Sequence, residues 1–261
     1  MKKKKIKTKK RNKSKFIGKG SFGCVFKPSI PCKKDLHKKK KKTKTKNNKV
    51  SKILIKKGEK KYSMKEFNMN KIIRSIPNYK EWSYTWKEMC EPPSYENIKR
   101  LSEIDTCLNK IDKDKDDYNR SSYMLIGEYG GIPLSEYCLK IFKKNSFKNK
   151  KSFLKAFSKL FKLMEPLFKG SLELSKRKIS HMDLSRSNIM VKENKCYMID
   201  FGLSCKYSNV KDIKKRSLGQ LNGSRIYDPY PLDFIYAYAK KDDKEEEIDA
   251  FQSGIYRTNY D

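Results

Sequence analysis

The chain has no long apolar run, no Cys-x-x-Cys pair and only two histidines among its 261 residues. Nothing in it approaches the roughly 20 consecutive apolar residues that cross a bilayer. The opening "MKKKKIKTKKRNKSK" also lacks the apolar core that follows the charged start of a secretory signal. A soluble, intracellular protein is therefore expected. The seven cysteines (Cys24, Cys32, Cys90, Cys107, Cys138, Cys196, Cys205) are odd in number and widely spaced, which argues against a zinc ribbon or a redox dithiol and points to reduced, structural thiols. There is no internal repeat, and no Gly-Lys-Ser/Thr closes a P-loop after the first glycines.

Positive charge is in large excess, at a formal +34, but it is unevenly placed. Residues 1–15 carry ten Lys/Arg and no acid, and residues 33–49 carry ten Lys and one Asp, so the two runs supply +19 of the total. Such runs repel themselves and bury nothing. They read as a disordered basic arm over 1–15 and a basic insertion over 33–49, both suited to non-specific binding of nucleic acid or another polyanion. With 36% hydrophobic and 12% aromatic residues overall, the remainder can bury one large domain or two small lobes.

The first ordered signal is "FIGKGSFGCVFKPSI", residues 16–30, in which Gly18, Gly20 and Gly23 form G-x-G-x-x-G. A dinucleotide-binding loop opens into a helix, whereas Cys24, Val25 and Phe26 favour a strand and Pro28 forbids an early helix interior. The pattern is therefore a strand-turn-strand whose backbone amides can approach phosphate oxygens. "VSKILIKK", residues 50–57, reads as a strand with Lys52 in its interior. "YSMKEFNMNKIIRSIP", residues 62–77, reads as a helix carrying Glu66 and ending before Pro77. Residues 78–120 show no clear period. "SSYMLIGEYGGIPLSEY" supplies a strand over 123–126 that runs to a glycine hinge at Gly130 and Gly131, and helical spacing follows over 152–176. "HMDLSRSNIM", residues 181–190, then places Asp183 and Asn188 ahead of an apolar pair, and "YMIDFGLS" ends a strand in Asp200-Phe201-Gly202.

In this order, the glycine loop, strand lysine, helix glutamate, hinge, H-x-D-x-x-x-x-N and D-F-G resemble the eukaryotic-type protein kinase superfamily over residues 16–260. The stretches "GCVFKPSIPC" and "IIRSIPNY" look most like the divergent Ser/Thr kinases of large DNA viruses. The resemblance implies an α+β, bilobal kinase-like fold, with a β-rich N-lobe over 16–129 and a helical C-lobe over 130–261, truncated after the central helix. It implies Mg-ATP-dependent transfer of a γ-phosphate to protein Ser/Thr hydroxyls. Asp183 would orient the hydroxyl and accept its proton; Lys52, paired with Glu66, would hold the phosphates; Asn188 and Asp200 would bind Mg2+. The nucleotide would lie against Ile17, Gly18, Lys19, Gly20, Ser21, Phe22, Gly23 and Val25, with adenine at the backbone of Glu128 to Gly130. Ser185 stands where such kinases place a Lys, and Arg186 is the expected substitute. Met182 replaces the Arg of H-R-D, so phosphorylation at Ser204, Ser208, Ser217 or Ser224 is not expected to be required.

By the same resemblance Asp233 and Asp249 fall at the end of the activation segment and the start of the central helix. Protein substrates are the implied partners, and a virion, host-cytoplasmic or nuclear location the implied setting. A catalytically weak, nucleic-acid-binding scaffold with a kinase-like fold is the alternative that the basic runs and the truncation keep open.

Overall fold

The computed structural model describes residues 13–20, 23–36, 48–55, 60–144, 149–209 and 211. Five antiparallel strands form the first sheet: β1 (Lys15–Gly20), β2 (Gly23–Lys27), β3 (Lys49–Ile55), β4 (Trp86–Cys90) and β5 (Ser122–Glu128), in the order β1-β2-β3-β5-β4. β-branched and aromatic residues favour these extended segments, and β3 buries Val50, Ile53, Leu54 and Ile55. Gly23 is needed where β2 meets β3, because a Cβ there would lie 1.9 Å from the Ile53 carbonyl oxygen. Helix α1 (Lys60–Arg74) follows β3 and turns Met69 and Ile73 inward.

The segment without a readable period supplies β4 and then a layer of three seven-residue helices, α2 (Tyr95–Leu101), α3 (Ile104–Lys110) and α4 (Lys115–Ser121). Asp114 starts α4 by accepting hydrogen bonds from the amides of Asp116 and Asp117, at 2.8 and 2.7 Å. The layer buries Ile98, Ile104, Cys107, Leu108 and Tyr118 against Phe26, Ile53, Ile55 and Met124 of the sheet.

Beyond the sheet come β6 (Ile132–Pro133), α5 (Leu134–Lys144), α6 (Lys150–Leu163), α7 (Glu165–Lys176), β7 (Ile179–Ser180), β8 (Ile189–Lys192), β9 (Lys195–Met198) and β10 (Cys205–Lys206). The helical stretch expected over 152–176 is broken at Met164, with a proline opening α7, because proline has no amide to donate and sits well only in a first turn. Asn149 and Ser152 form a reciprocal capping box at the start of α6. An antiparallel β-sheet unit followed by helices and short strands makes this a mixed α+β fold. Among the described residues, no helix is long and apolar enough to cross a membrane.

Three sequence expectations are corrected. The basic arm does not extend to 15: Ser14 is buried, its amide donates to the Leu101 carbonyl at 2.7 Å, and Lys15 begins β1. The insertion does not begin at 33: Lys33–Asp35 form a 3-10 turn, and the Lys33 amide donates to the Glu91 carbonyl at 3.0 Å. In both places backbone pairing outweighs local charge. Nor are all the thiols reduced, since Cys24 is bonded to Cys107 and Cys32 to Cys90. Residues 1–12 and 37–47, Ser21, Phe22, Ser217, Ser224, Asp233 and Asp249 lie outside the described residues.

The second core gathers α1, α7 and the β8–β9 hairpin around Trp82, which is buried. Gly170 of α7 lies flat against that indole: a Cβ there would sit 2.7 Å from Trp82 Cε3. Alanine normally gains up to about 1 kcal/mol over glycine inside a helix, but overpacking costs about 1–3 kcal/mol. Gly170→Ala is therefore expected to lower the melting temperature, despite its better helix propensity. A raised melting temperature would show that the indole can shift freely.

Candidate active site

Strand β3, helix α1 and the turn that follows β9 bring one ionic cluster together. Lys52 of β3 extends its ammonium to Glu66 of α1, at 3.2 and 3.4 Å to the two carboxylate oxygens, and to Asp200 Oδ2 at 3.0 Å. Glu66 is fixed from a second direction, by the Trp86 indole N–H, which donates to its Oε1 at 2.8 Å. Asn70, one turn along α1, donates to the Glu66 carbonyl at 2.7 Å and accepts from the Trp86 amide at 2.9 Å. Trp86 and Asn70 were not singled out for this role from the sequence, because spacing along the chain carries no signal for a contact made across β4.

Burial disfavours the charged form of Lys52, but the Asp200 and Glu66 carboxylates outweigh it and hold the ammonium above the ordinary lysine range. Burial likewise pushes Glu66 upward, against the pull of Lys52 and Trp86. Asp200 lies below its ordinary value: burial works against this, and Lys52 and the Gly202 amide prevail. The Asp200 side chain keeps 34% of its surface open, while those of Lys52 and Glu66 keep 12% and 8%. The open member is therefore a carboxylate, held in its charged form by a buried cation.

Residues 181–188 form a folded turn ahead of β8. Ser185 N donates to Asp183 O at 3.1 Å and Asn188 N to Ser185 O at 2.9 Å. The Asn188 carboxamide donates to Asp183 twice, to the carbonyl at 2.9 Å and to Oδ2 at 2.8 Å. Met182 and Asp200 both adopt positive φ, at 62° and 61°, a conformation costly for residues with a Cβ and concentrated at functional sites. The Asp200 turn also needs its glycine, since a Cβ on Gly202 would lie 3.2 Å from Asp200 Oδ1. Asp200 and Asn188 offer a carboxylate and a carboxamide oxygen, a hard donor set suited to a divalent cation such as magnesium.

Of the other residues expected at the site, Ile17, Gly18, Lys19 and Gly20 lie on β1, and Gly23 and Val25 on β2. Glu128 ends β5 with its carboxylate ion-paired to Lys87, which lowers its pKa. Gly130 packs closely against Met190 and Tyr84, within 3.2 Å of a Cβ position. Arg186 is exposed, and its carbonyl accepts from the Ser135 amide at 3.3 Å. Ser204 is buried and donates to the His181 carbonyl at 3.0 Å, so this hydroxyl is packed away from any modifying enzyme.

His181 is a packing residue. Its ring lies 4.8 Å from that of Phe201, and Nε2 stands 3.0 Å from the Ile199 carbonyl, so Nε2 carries the proton and donates. Burial lowers its pKa from the ordinary 6.5. Protonation thus favours the unfolded chain, and the stability that neutral His181 contributes is complete above the unfolded pKa and lost as pH falls through the folded one. Between pH 7.5 and 5 the melting temperature is expected to fall. His181→Gln, which keeps an N–H donor but cannot be protonated, should flatten that slope; an unchanged slope would assign it to other groups.

No protein-family model matches the chain, and no curated protein matches it. Among solved structures it is similar to the kinase domain of PF14_0431, with 15% identity, a TM-score of 0.47, and coverage of 76% of this chain and 51% of that one. The chain therefore spans about half the length of that structure.

Proposed function

We propose that this protein is a Mg-ATP-dependent protein kinase that transfers the γ-phosphate to Ser or Thr hydroxyls. The observation that carries this reading is the meeting of Lys52, Glu66 and Asp200 in one cluster, beside the Asp183–Asn188 turn. Phosphoryl transfer asks a protein chiefly to position its groups and to neutralise charge. Lys52, held by Glu66, would meet the α- and β-phosphates, and the amides of the β1–β2 hairpin would cradle them. Asp200 and Asn188 would hold magnesium, which when bound offsets the negative charge of the phosphates. Asp183, oriented by the Asn188 carboxamide, would align the acceptor hydroxyl and take its proton, and Arg186 would supply a positive charge near the γ-phosphate. The "GCVFKPSIPC" and "IIRSIPNY" stretches support the finer reading of a viral kinase.

The test is transfer of label from γ-labelled ATP, with magnesium, to basic and acidic protein substrates, alongside direct measurement of nucleotide binding. Transfer to Ser or Thr that is lost in Asp200→Ala supports the proposal. Nucleotide binding without transfer to any substrate would leave a kinase-like scaffold in its place.

A further inference from the structure

The two disulfides join the same pair of segments. Cys24 and Cys32 lie on β2 and the loop that leaves it, while Cys90 ends β4 and Cys107 sits in α3, with Cα–Cα distances of 5.9 Å in both bonds. The helical layer α2–α4 is thus tied covalently, at its approach and within α3, to the strand that begins at the last glycine of the G-x-G-x-x-G hairpin. Non-covalent contacts run the same way. Glu103 accepts the Phe16 amide at 2.9 Å, its own amide donates to Ser14 O at 3.1 Å, and Lys110 lies 5.4 Å from the centre of the Phe16 ring. The three thiols that stay free, Cys138, Cys196 and Cys205, all belong to the other half of the fold.

We propose that these four cysteines form a redox clamp on the nucleotide hairpin. This rests on the kinase reading above. Oxidised, the clamp fixes β1 and β2 against the helical layer; reduced, it leaves the hairpin held by hydrogen bonds and packing without a covalent tie, and nucleotide affinity falls. Each bond forms by thiol–disulfide exchange: two thiols give up two electrons and two protons, and the disulfide of a partner oxidant becomes a dithiol. A dithiol reductant reverses the step. Cys24 and Cys107 are fully buried and Cys32 nearly so, whereas Cys90 is only partly buried. A reductant therefore reaches Cys32–Cys90 first, and Cys24–Cys107 yields only after the layer opens.

The experiment uses the full chain, purified with thiols kept reduced and then oxidised with glutathione disulfide. Thiol titration in denaturant is expected to find the three unpaired cysteines free after oxidation and all seven free in dithiothreitol. Reduction should lower the melting temperature by about 10 °C and weaken binding of a non-hydrolysable ATP analogue by about tenfold, as a preorganised loop is released. A Cys24→Ser, Cys107→Ser double variant should bind weakly in both states, while Cys138→Ser should behave as wild type. Seven free thiols after oxidation would overturn the proposal, as would one zinc per chain held through Cys32, Glu88 and Cys90. Equal nucleotide affinity in both states would also overturn it. A melting shift with no nucleotide binding in either state would defeat the kinase reading and the hairpin's role in it, while upholding the covalent clamp.

Discussion

Replacing Asp183 by Asn is expected to cut phosphoryl transfer by roughly a thousandfold, within the range that general base and orienting groups supply, while ATP binding and the melting temperature stay near wild type. The substitution preserves shape. Asn188 donates to Asp183 through both the backbone carbonyl and Oδ2, and a carboxamide oxygen at position 183 can still accept the second of these bonds. What is lost is the charge and the basicity that, under the proposed function, would take up the hydroxyl proton. Steady-state rates at saturating ATP, with nucleotide affinity measured separately, check this: an unchanged rate would remove Asp183 from the chemistry. Lys52→Ala is a less clean probe. It leaves Glu66 buried beside Asp200 with no cation between them, and removing one partner of a buried pair typically costs about 3–5 kcal/mol, so its loss of activity would be mixed with loss of fold.

The largest stability effect is expected at Trp82. Trp82→Ala should cost about 3–5 kcal/mol, the usual range for deleting a large core aromatic, measured as a fall in the urea midpoint with little change in slope. The indole fills the space between α1 and α7, and Gly170 has no side chain with which to fill the gap. The backbone here also joins the halves of the fold: Met198 N donates to Trp82 O at 2.8 Å, and Tyr84 N donates to Met198 O at 3.1 Å. If the variant loses less than about 1 kcal/mol, the neighbours collapse onto the site, and the backbone hydrogen bonds to Met198 rather than the ring carry the stability.

Trp82 also marks where reading along the chain stops. It stands in a stretch with no hydrophobic period, and its burial comes from α7, whose glycine lies far along the sequence. The helices α2, α3 and α4 are seven residues each, shorter than the length at which an isolated helix holds together in water. Their order derives from packing on the sheet, so they left no pattern of their own. The break at Met164 was hidden because residues on either side of it keep an inward face at helical spacing.

Local patterning was enough to place the strands around Gly18 to Val25 and Lys52, the helix of Glu66, and the strand that ends ahead of Asp200. Each of these depends on alternation, on glycine, or on polar residues set in a short apolar frame, and such signals act within a few residues. Tertiary structure alone decided that Lys52 meets Asp200, 148 residues away, that Trp86 steadies Glu66, and that Cys24 and Cys32 find Cys107 and Cys90, at separations of 83 and 58 residues. Cysteine spacing leaves many pairings open. The choice among them falls to the packing of a helical layer onto a sheet, where the free energy lies in buried area and not in any local preference of the chain.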